Sequence, residues 1–365
     1  MDLGTRVTSI LAIVAGSALV IWTVGSAIKT VILPRAAASS ITRAVFLVMR
    51  RLYLVFAPSS APYERRDRVL ATYAPMSLVA TLVTWLTLVL LGYGLIFWGD
   101  EHRSWAHAFE LSGSSLFTLG IVRPGSTVAT LIVFSEAAIG LFLLALLITY
   151  LPSIYSTFSR RELGVTALEV RAGAPPSGRE MMWRYWALQR FHELSEVWIE
   201  WERWFVDIEE THTSLPALVF FRSPQPDHSW VTASGAVLDG AALALSTVDV
   251  PRDVRAEFCI RAGYLALRRI ASFFQIPFDP EPRPDDPISV SREEWEEAVA
   301  FLEDEGVPIK ADRDRAWRDF AGWRVNYDTV LLAMCDLTSA PPAPWSSDRV
   351  TNRSFRPKMF SSGVR

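Results

Sequence analysis

The most constraining feature of this chain is a pair of apolar segments separated by a short stretch of mixed character. Met76–Trp98 contains no charged residue, and Ser126–Pro152 contains only Glu136. Each segment is long and apolar enough to cross a bilayer as a helix. Glu101–Gly125, between them, is too polar for a further span and too apolar for an ordinary loop. Residues 75–162 therefore predict helix, re-entrant segment and helix, which is the plan of a pore module.

The middle stretch divides into a helical part and a non-helical part. Ser104–Phe117 mixes aromatic, small and polar residues without proline, and predicts a short helix. Thr118–Val122 follows, and then Arg123, Pro124 and Gly125. Irregular backbone at membrane depth is tolerated only where protein or a water-filled path satisfies its polar groups. If this stretch enters the membrane, it is expected to line a pathway.

At these positions the chain resembles the pore-loop potassium-channel superfamily in its two-helix form. Thr118–Val122 stands where that family carries Thr-Val-Gly-Tyr-Gly, and Gly140 falls where the family often has a gating glycine. The resemblance implies an ion-conducting filter whose backbone carbonyls replace the hydration shell of the ion. The residues of that filter would be Thr118, Leu119, Gly120, Ile121 and Val122. It further implies that Gly140 lets the inner helix bend and that four copies surround one path.

The chain departs from the family pattern at three places. Val122 replaces the second filter glycine, and a β-branched residue resists the positive φ that glycine supplies. Ile121 lacks the hydroxyl of the family's tyrosine, and Arg123 stands where the family has Asp. These departures favour a second interpretation, in which the protein is a non-conducting, membrane-anchored helical scaffold or interaction protein.

Two carboxylates are predicted to support the filter, Glu110 on the short helix and Glu136 in the following span. An ionisable residue inside a span is a functional candidate. Glu136 is expected to brace the re-entrant helix through Ser112, Ser114 or Ser115, or to pair with Arg123. Direct ion binding by Glu136 is the alternative.

The beginning of the chain supplies a further apolar segment and a basic linker. Val7–Ile28 is uncharged and predicts a retained first transmembrane helix within residues 1–34, with a cleaved signal peptide as the alternative. Residues 35–74 form an arginine-rich linker, in which Ile41–Ala57 suggests a helix at the membrane surface. The positive-inside rule places this linker in the cytoplasm and the amino terminus outside. Membrane lipids are then partners, and a bacterial cell membrane is the expected location.

Residues 163–338 predict an all-helical cytoplasmic domain. Helical patterns occur at Arg179–His212, Trp230–Thr247, Arg252–Phe274, Arg292–Glu305 and Ala311–Met334. The first carries a heptad seam rich in tryptophan, which favours packing inside a domain over a free coiled coil. No alternating strand pattern and no GxGxxG sequence occur, so a nucleotide-sensing Rossmann domain is not supported. Residues 339–365 are basic and rich in Pro and Ser, and predict a disordered tail.

Enzyme chemistry has little support in this sequence. Glu209 and His212 have the ExxH spacing of helical di-iron proteins, but no second such motif occurs. The two cysteines, Cys259 and Cys335, have no metal-ligand spacing and predict free thiols. A net charge of −3 argues against a nucleic-acid partner.

The sequence therefore predicts an all-α membrane protein with three transmembrane helices, a re-entrant pore helix and loop, and a helical cytoplasmic domain. The expected assembly is a homo-tetramer that conducts potassium or another monovalent cation and needs no cofactor or bound metal.

Overall fold

The computed structural model describes residues 3–33, 39–58, 60–101 and 104–349. Within these residues the chain forms thirteen α-helices and no β-strand, and one isolated antiparallel bridge joins Val248 and Ile309. Three helical stretches are long and apolar enough to cross a membrane, at Leu3–Val31, Tyr63–Glu101 and Thr127–Ala172. The all-α class and the three apolar helices agree with the sequence prediction.

The first six helices contain the three apolar stretches. They are α1 (Leu3–Val31), α2 (Ser40–Phe56), α3 (Tyr63–Leu70), α4 (Tyr73–Glu101), α5 (Trp105–Leu116) and α6 (Thr127–Ala172). The remaining helices are shorter. They are α7 (Gly178–Ala187), α8 (Leu194–Ser214), α9 (Trp230–Ser246), α10 (Val254–Phe273), α11 (Arg292–Asp304), α12 (Arg313–Arg324) and α13 (Asp328–Thr338).

The chain divides into two compact units. One, here called the span unit, comprises residues 1–60 and 72–155, and the other, the helical unit, comprises residues 61–71 and 156–365. The helix α6 contributes its first part to the span unit and its last part to the helical unit. The short helix α3 belongs to the helical unit, although the sequence groups it with the basic linker.

In the span unit, α1 packs against α4 through small residues. A Cβ atom on Gly16 would lie 2.4 Å from the carbonyl oxygen of Gly92, and one on Gly99 would lie 2.7 Å from that of Ser9. Such close approach of two backbones is typical of helix pairs in lipid, where packing rather than water exclusion drives association. The indole of Trp85 adds a polar contact, because Nε1 donates to Ser26 Oγ at 3.1 Å.

The helix α2 has two different faces. Ile41 and Phe46 are buried, and the phenol of Tyr73 on α4 donates to the Phe46 carbonyl oxygen at 3.0 Å. Large apolar side chains on its other face are exposed, among them Val48, Val55 and Phe56. This arrangement is typical of a helix that lies at a membrane surface.

The helical unit is built around aromatic side chains of α8. Trp198, Trp201 and Phe205 are buried there, and α10 approaches closely because Gly263 leaves room for the Phe205 ring. The prediction of one helix over Arg179–His212 was wrong. The chain ends α7 at Ala187, takes a positive φ of 57° at Gln189, and starts α8 at Leu194 after a short 3₁₀ turn.

A second predicted helix, Ala311–Met334, is also divided. α12 ends at Arg324, and Asn326 and Tyr327 form a turn before α13 begins at Asp328. The turn buries the Tyr327 ring and lets its hydroxyl donate to Asp239 Oδ1 on α9 at 2.9 Å. A buried polar contact of this kind explains the break, which helical periodicity alone does not indicate.

The predicted disordered tail begins at Ser339, and the structure differs from this prediction over residues 339–349. Ala343 and Ser346 are buried there, and Arg349 pairs with Glu294 at 2.8 Å. The guanidinium of Arg324 donates to the carbonyl oxygen of Trp345. Residues 350–365 lie outside the described part of the chain.

Candidate functional site

The predicted filter lies directly after α5. This helix starts at a Ser104 cap, whose hydroxyl accepts the backbone N–H of His107 at 3.2 Å. It ends at Leu116, and the next residues take left-handed backbone conformations at Thr118 (φ 56°) and Gly120 (φ 67°). Glycine accepts this region without strain, whereas Thr118 takes it as the residue after the helix end, where its N–H donates to the Ser115 carbonyl oxygen at 2.9 Å.

One residue, Ser114, holds most of the loop backbone. Its carbonyl oxygen accepts the N–H groups of Leu119 (2.8 Å) and Gly120 (3.3 Å). Its hydroxyl oxygen accepts those of Ile121 (2.9 Å) and Val122 (3.2 Å). Ser114 itself is buried. Four successive backbone donors are therefore satisfied on one side of the loop.

The carbonyl oxygens of the same loop differ from its N–H groups. Across the described residues, no hydrogen bond is accepted by the backbone carbonyl of any residue from 118 to 122. Residues 118–121 are exposed, while Val122 packs partly against the core of the span unit. With its donors satisfied and its acceptors free, this backbone can offer oxygen ligands to a cation. The exposed side chains of Leu119 and Ile121 bring no competing polar group.

The carboxyl group of Glu136 lies behind α5, fully buried on α6. The Ser112 hydroxyl donates to Glu136 Oε1 at 2.6 Å and also lies 2.9 Å from the carbonyl oxygen of Leu90. The Ser115 hydroxyl donates to the carbonyl oxygen of Val133, also on α6, at 2.7 Å. Glu136 Oε2 has no hydrogen-bond partner among the described residues. The geometry is that of a brace between α5 and α6, and Glu136 is bonded to Ser112 and not to Arg123.

Gly140 is buried on α6 beside the end of α5. A Cβ atom at this position would lie 2.5 Å from the carbonyl oxygen of Leu116, so only glycine allows this approach. The helix α6 continues through Gly140 without interruption. The structure thus gives Gly140 a packing role, and the proposed bending remains a prediction.

The other predicted support is Glu110, and its role remains a prediction. It is exposed on α5 and makes no hydrogen bond or ion pair within the described part of the chain. A different carboxylate, Glu101 at the end of α4, contacts the end of the segment that follows the loop. Its Oε1 accepts the Gly125 N–H at 2.6 Å, and its Oε2 lies 3.3 Å from His107 Nε2. Sequence reasoning missed this residue, although its place at the end of an apolar span was the available signal.

In the helical unit, the two side chains with ExxH spacing do not form a common site. Glu209 pairs with Arg269, whereas the ring of His212 is buried with Nε2 3.3 Å from Arg161 Nη1. Burial lowers the pKa of His212 well below its ordinary value, and the positive charge of Arg161 lowers it further. No cluster of three metal-binding side chains occurs among residues that the structure describes.

Both cysteines of the helical unit are buried. Cys259 and Cys335 are free thiols rather than a disulfide pair. Burial raises the pKa of each thiol, because a thiolate loses its hydration in a low-dielectric interior. They therefore behave as small core residues.

Comparison with known proteins adds one relative. The chain is 28% identical over 187 residues to an uncharacterized membrane protein, YdjJ, of Bacillus subtilis (strain 168). The match covers 48% of this chain and 53% of the relative, so the chain spans about half the length of the relative it matches. No family model and no solved structure matches the chain. Together with the three apolar helices, the relative supports the class of all-α membrane protein.

Proposed function

We propose that this chain is one subunit of a pore-loop cation channel in which the backbone of Thr118–Val122 lines the ion path. The observation that carries the proposal is the set of unpartnered carbonyl oxygens in that loop, whose backbone N–H groups from Leu119 to Val122 are all bound by Ser114. The contacts of the Ser114 hydroxyl to Ile121 and Val122 go beyond the backbone bonds that close an ordinary left-handed helix end.

The contacts of Glu136, Glu101 and Gly140 are consistent with elements that hold such a loop in place. Glu136 holds α5 against α6 through Ser112, and Glu101 fixes the return of the chain at Gly125. Gly140 lets the carbonyl end of α5 approach α6 closely. Each contact restricts the position of the loop, and carbonyl ligands must be held in place to replace a hydration shell.

A single loop of this kind cannot surround an ion, so the proposal requires an oligomer. Four copies around one axis, with potassium or another monovalent cation as the permeant ion, follow the family pattern. In this assignment the loop opens to the outside of a bacterial cell membrane. The arginine-rich residues 35–74 and the helical unit lie in the cytoplasm, and the helical unit assembles or gates the pore.

The test is cation flux into liposomes that contain the purified protein, with potassium compared against sodium. Gly120→Ala should reduce the flux about tenfold or more, because an alanine at a φ of 67° costs about 1–2 kcal/mol and shifts the loop. Gly113→Ala is the matched control, since a Cβ atom there meets only Leu90 Cδ1 at an ordinary 3.8 Å. Unchanged flux in Gly120→Ala at normal expression would contradict the filter assignment.

The second candidate function is a membrane-anchored scaffold that conducts nothing. The observations that favour it are Val122 and Arg123 at positions where the family has Gly and Asp, and the close packing at Gly140. Chemical cross-linking in detergent separates the two candidates. A ladder that ends at four copies supports the channel, and a monomer at all cross-linker concentrations supports the scaffold.

A further inference from the structure

The helical unit contains a groove at the junction between α7 and α8 that the proposed ion path does not use. It consists of two adjoining cavities, one of about 370 Å³ and one of about 560 Å³. Phe191 and His192, in the 3₁₀ turn before α8, line both cavities. Volumes of this size are typical of sites for small organic molecules.

The smaller cavity has mainly apolar walls. Its lining includes the side chains of Leu194, Trp198, Leu245, Val250 and Ala256. Apart from His192, the polar side chains that line it are engaged with neighbours. The Ser195 hydroxyl donates to Asp253, which also caps α10 by accepting the N–H of Arg255. Arg252 pairs with Glu257. The interior of this cavity therefore favours an apolar group.

The larger cavity combines aromatic rings with a carboxylate. The rings of Trp186 and Phe191 stand at 73° to each other with their centroids 6.0 Å apart. Glu305 lines the same cavity, and its Oε2 is fixed by the indole N–H of Trp183 at 2.7 Å. Aromatic faces attract a cation within about 6 Å of the ring centroid, and a nearby carboxylate adds to the attraction. This wall favours a positively charged group that is poorly hydrated.

We propose that the groove binds a small organic cation that carries an apolar chain. The ammonium group lies against Trp186 and Phe191 near the Glu305 carboxylate, and the chain enters the cavity beside Trp198. The proposal does not depend on the ion path. A ligand held here contacts both α7 and α8, which are joined only by the turn at residues 188–193.

The first experiment compares three probes by isothermal titration calorimetry on the purified full chain in a maltoside detergent. Hexyltrimethylammonium carries both parts of the expected ligand, tetramethylammonium carries the head alone, and hexanoate carries the chain with the opposite charge. Hexyltrimethylammonium should bind most tightly, tetramethylammonium more weakly, and hexanoate not measurably. Absence of hexyltrimethylammonium binding, or equal binding of hexanoate, would overturn the proposal, the second by assigning the groove to His192 and Arg252 as an anion site.

Variants then test whether the charged head binds in the larger cavity and the apolar chain in the smaller one. Glu305→Gln keeps an oxygen for the Trp183 indole but removes the charge, and should weaken both cations about tenfold. Val250→Trp fills the smaller cavity, and should remove the advantage of the hexyl chain while tetramethylammonium binding stays unchanged. Glu281→Gln, at an exposed carboxylate in the loop after α10, is the matched control and should change nothing. Equal affinities in Glu305→Gln and the unsubstituted protein would refute the cation assignment.

Discussion

At the scale of single residues, a buried network of charged side chains surrounds Arg324. This side chain is fully buried and contacts the carboxylates of Asp239 and Asp328. Burial alone would lower the pKa of its guanidinium, but the two carboxylates raise it above the ordinary value. The Ser289 hydroxyl and backbone N–H donate to Asp328, at 2.6 Å and 2.8 Å. The carboxylates thus have partners on several elements.

Removing the positive charge of Arg324 should lower the free energy of unfolding. Arg324→Leu leaves Asp239 and Asp328 buried without a counter-ion, and we expect a loss of about 3–5 kcal/mol in the free energy of unfolding. Urea unfolding followed by tryptophan fluorescence measures it. Arg318→Leu on the same helix is the control, because Arg318 is exposed. Equal midpoints for the two variants would show that the network contributes nothing to stability.

His212 predicts a pH dependence of stability. Its pKa is lower in the folded chain than in the unfolded chain, where it lies near 6.5, so the unfolded state binds the proton more tightly. The contribution of His212 is therefore complete above pH 6.5 and is lost as the pH falls below it, by an amount on the order of 1 kcal/mol between pH 7.5 and 5.5. His212→Gln should remove this part of the slope, measured by urea unfolding at both pH values. An identical slope in the variant would contradict the assignment.

At the scale of elements, the long apolar helices could be predicted because twenty or more consecutive apolar residues have few alternatives. The breaks inside Arg179–His212 and Ala311–Met334 could not. They depend on tertiary contacts, such as the one between Tyr327 and Asp239, that leave the apolar spacing intact. The role of Ser114 is a similar case, since sequence reasoning named it only as one of three serines that Glu136 could bond.

The α1–α4 pair gives a prediction at this scale. Gly16→Ala places a methyl group 2.4 Å from a backbone oxygen that cannot move alone, and should destabilise the pair by about 1–3 kcal/mol. Gly25→Ala on the same helix meets nothing within 4 Å and serves as the control. Thermal unfolding in detergent should separate the two variants by several degrees. The same melting temperature for both would show that the two helices are not packed through Gly16.

At the scale of the whole molecule, the helical unit is assembled from two separate parts of the chain. Arg222 joins them, because its guanidinium contacts Asp67 and Tyr63 on α3 and donates to the carbonyl oxygens of Thr338 and Ser339. Charge counting predicts residues 35–74 as one basic linker. It does not show that Asp67 has an arginine partner 155 positions away, because a pairing at that separation leaves no local pattern.

The Arg222 contact should protect α3 from proteolysis. Arg222→Met should raise the rate of tryptic cleavage at Arg65 and Arg68, both exposed on α3, by about tenfold, since a charged hydrogen-bonded pair contributes about 1.5–3 kcal/mol. Arg203→Met, at an exposed position on α8, is the control. Mass spectrometry of limited digests identifies the cleaved bonds. Unchanged cleavage on α3 would show that other contacts hold it.

The divided helical unit also fixes an order of events during synthesis. The α3 segment leaves the ribosome first, and the residues that bind it are made only after α4, α5 and the first part of α6 have been translated. Domains generally fold as units once their sequence is complete. The helical unit therefore cannot finish folding until both later apolar stretches have been synthesised, so its folding follows the synthesis of every apolar stretch that the structure describes.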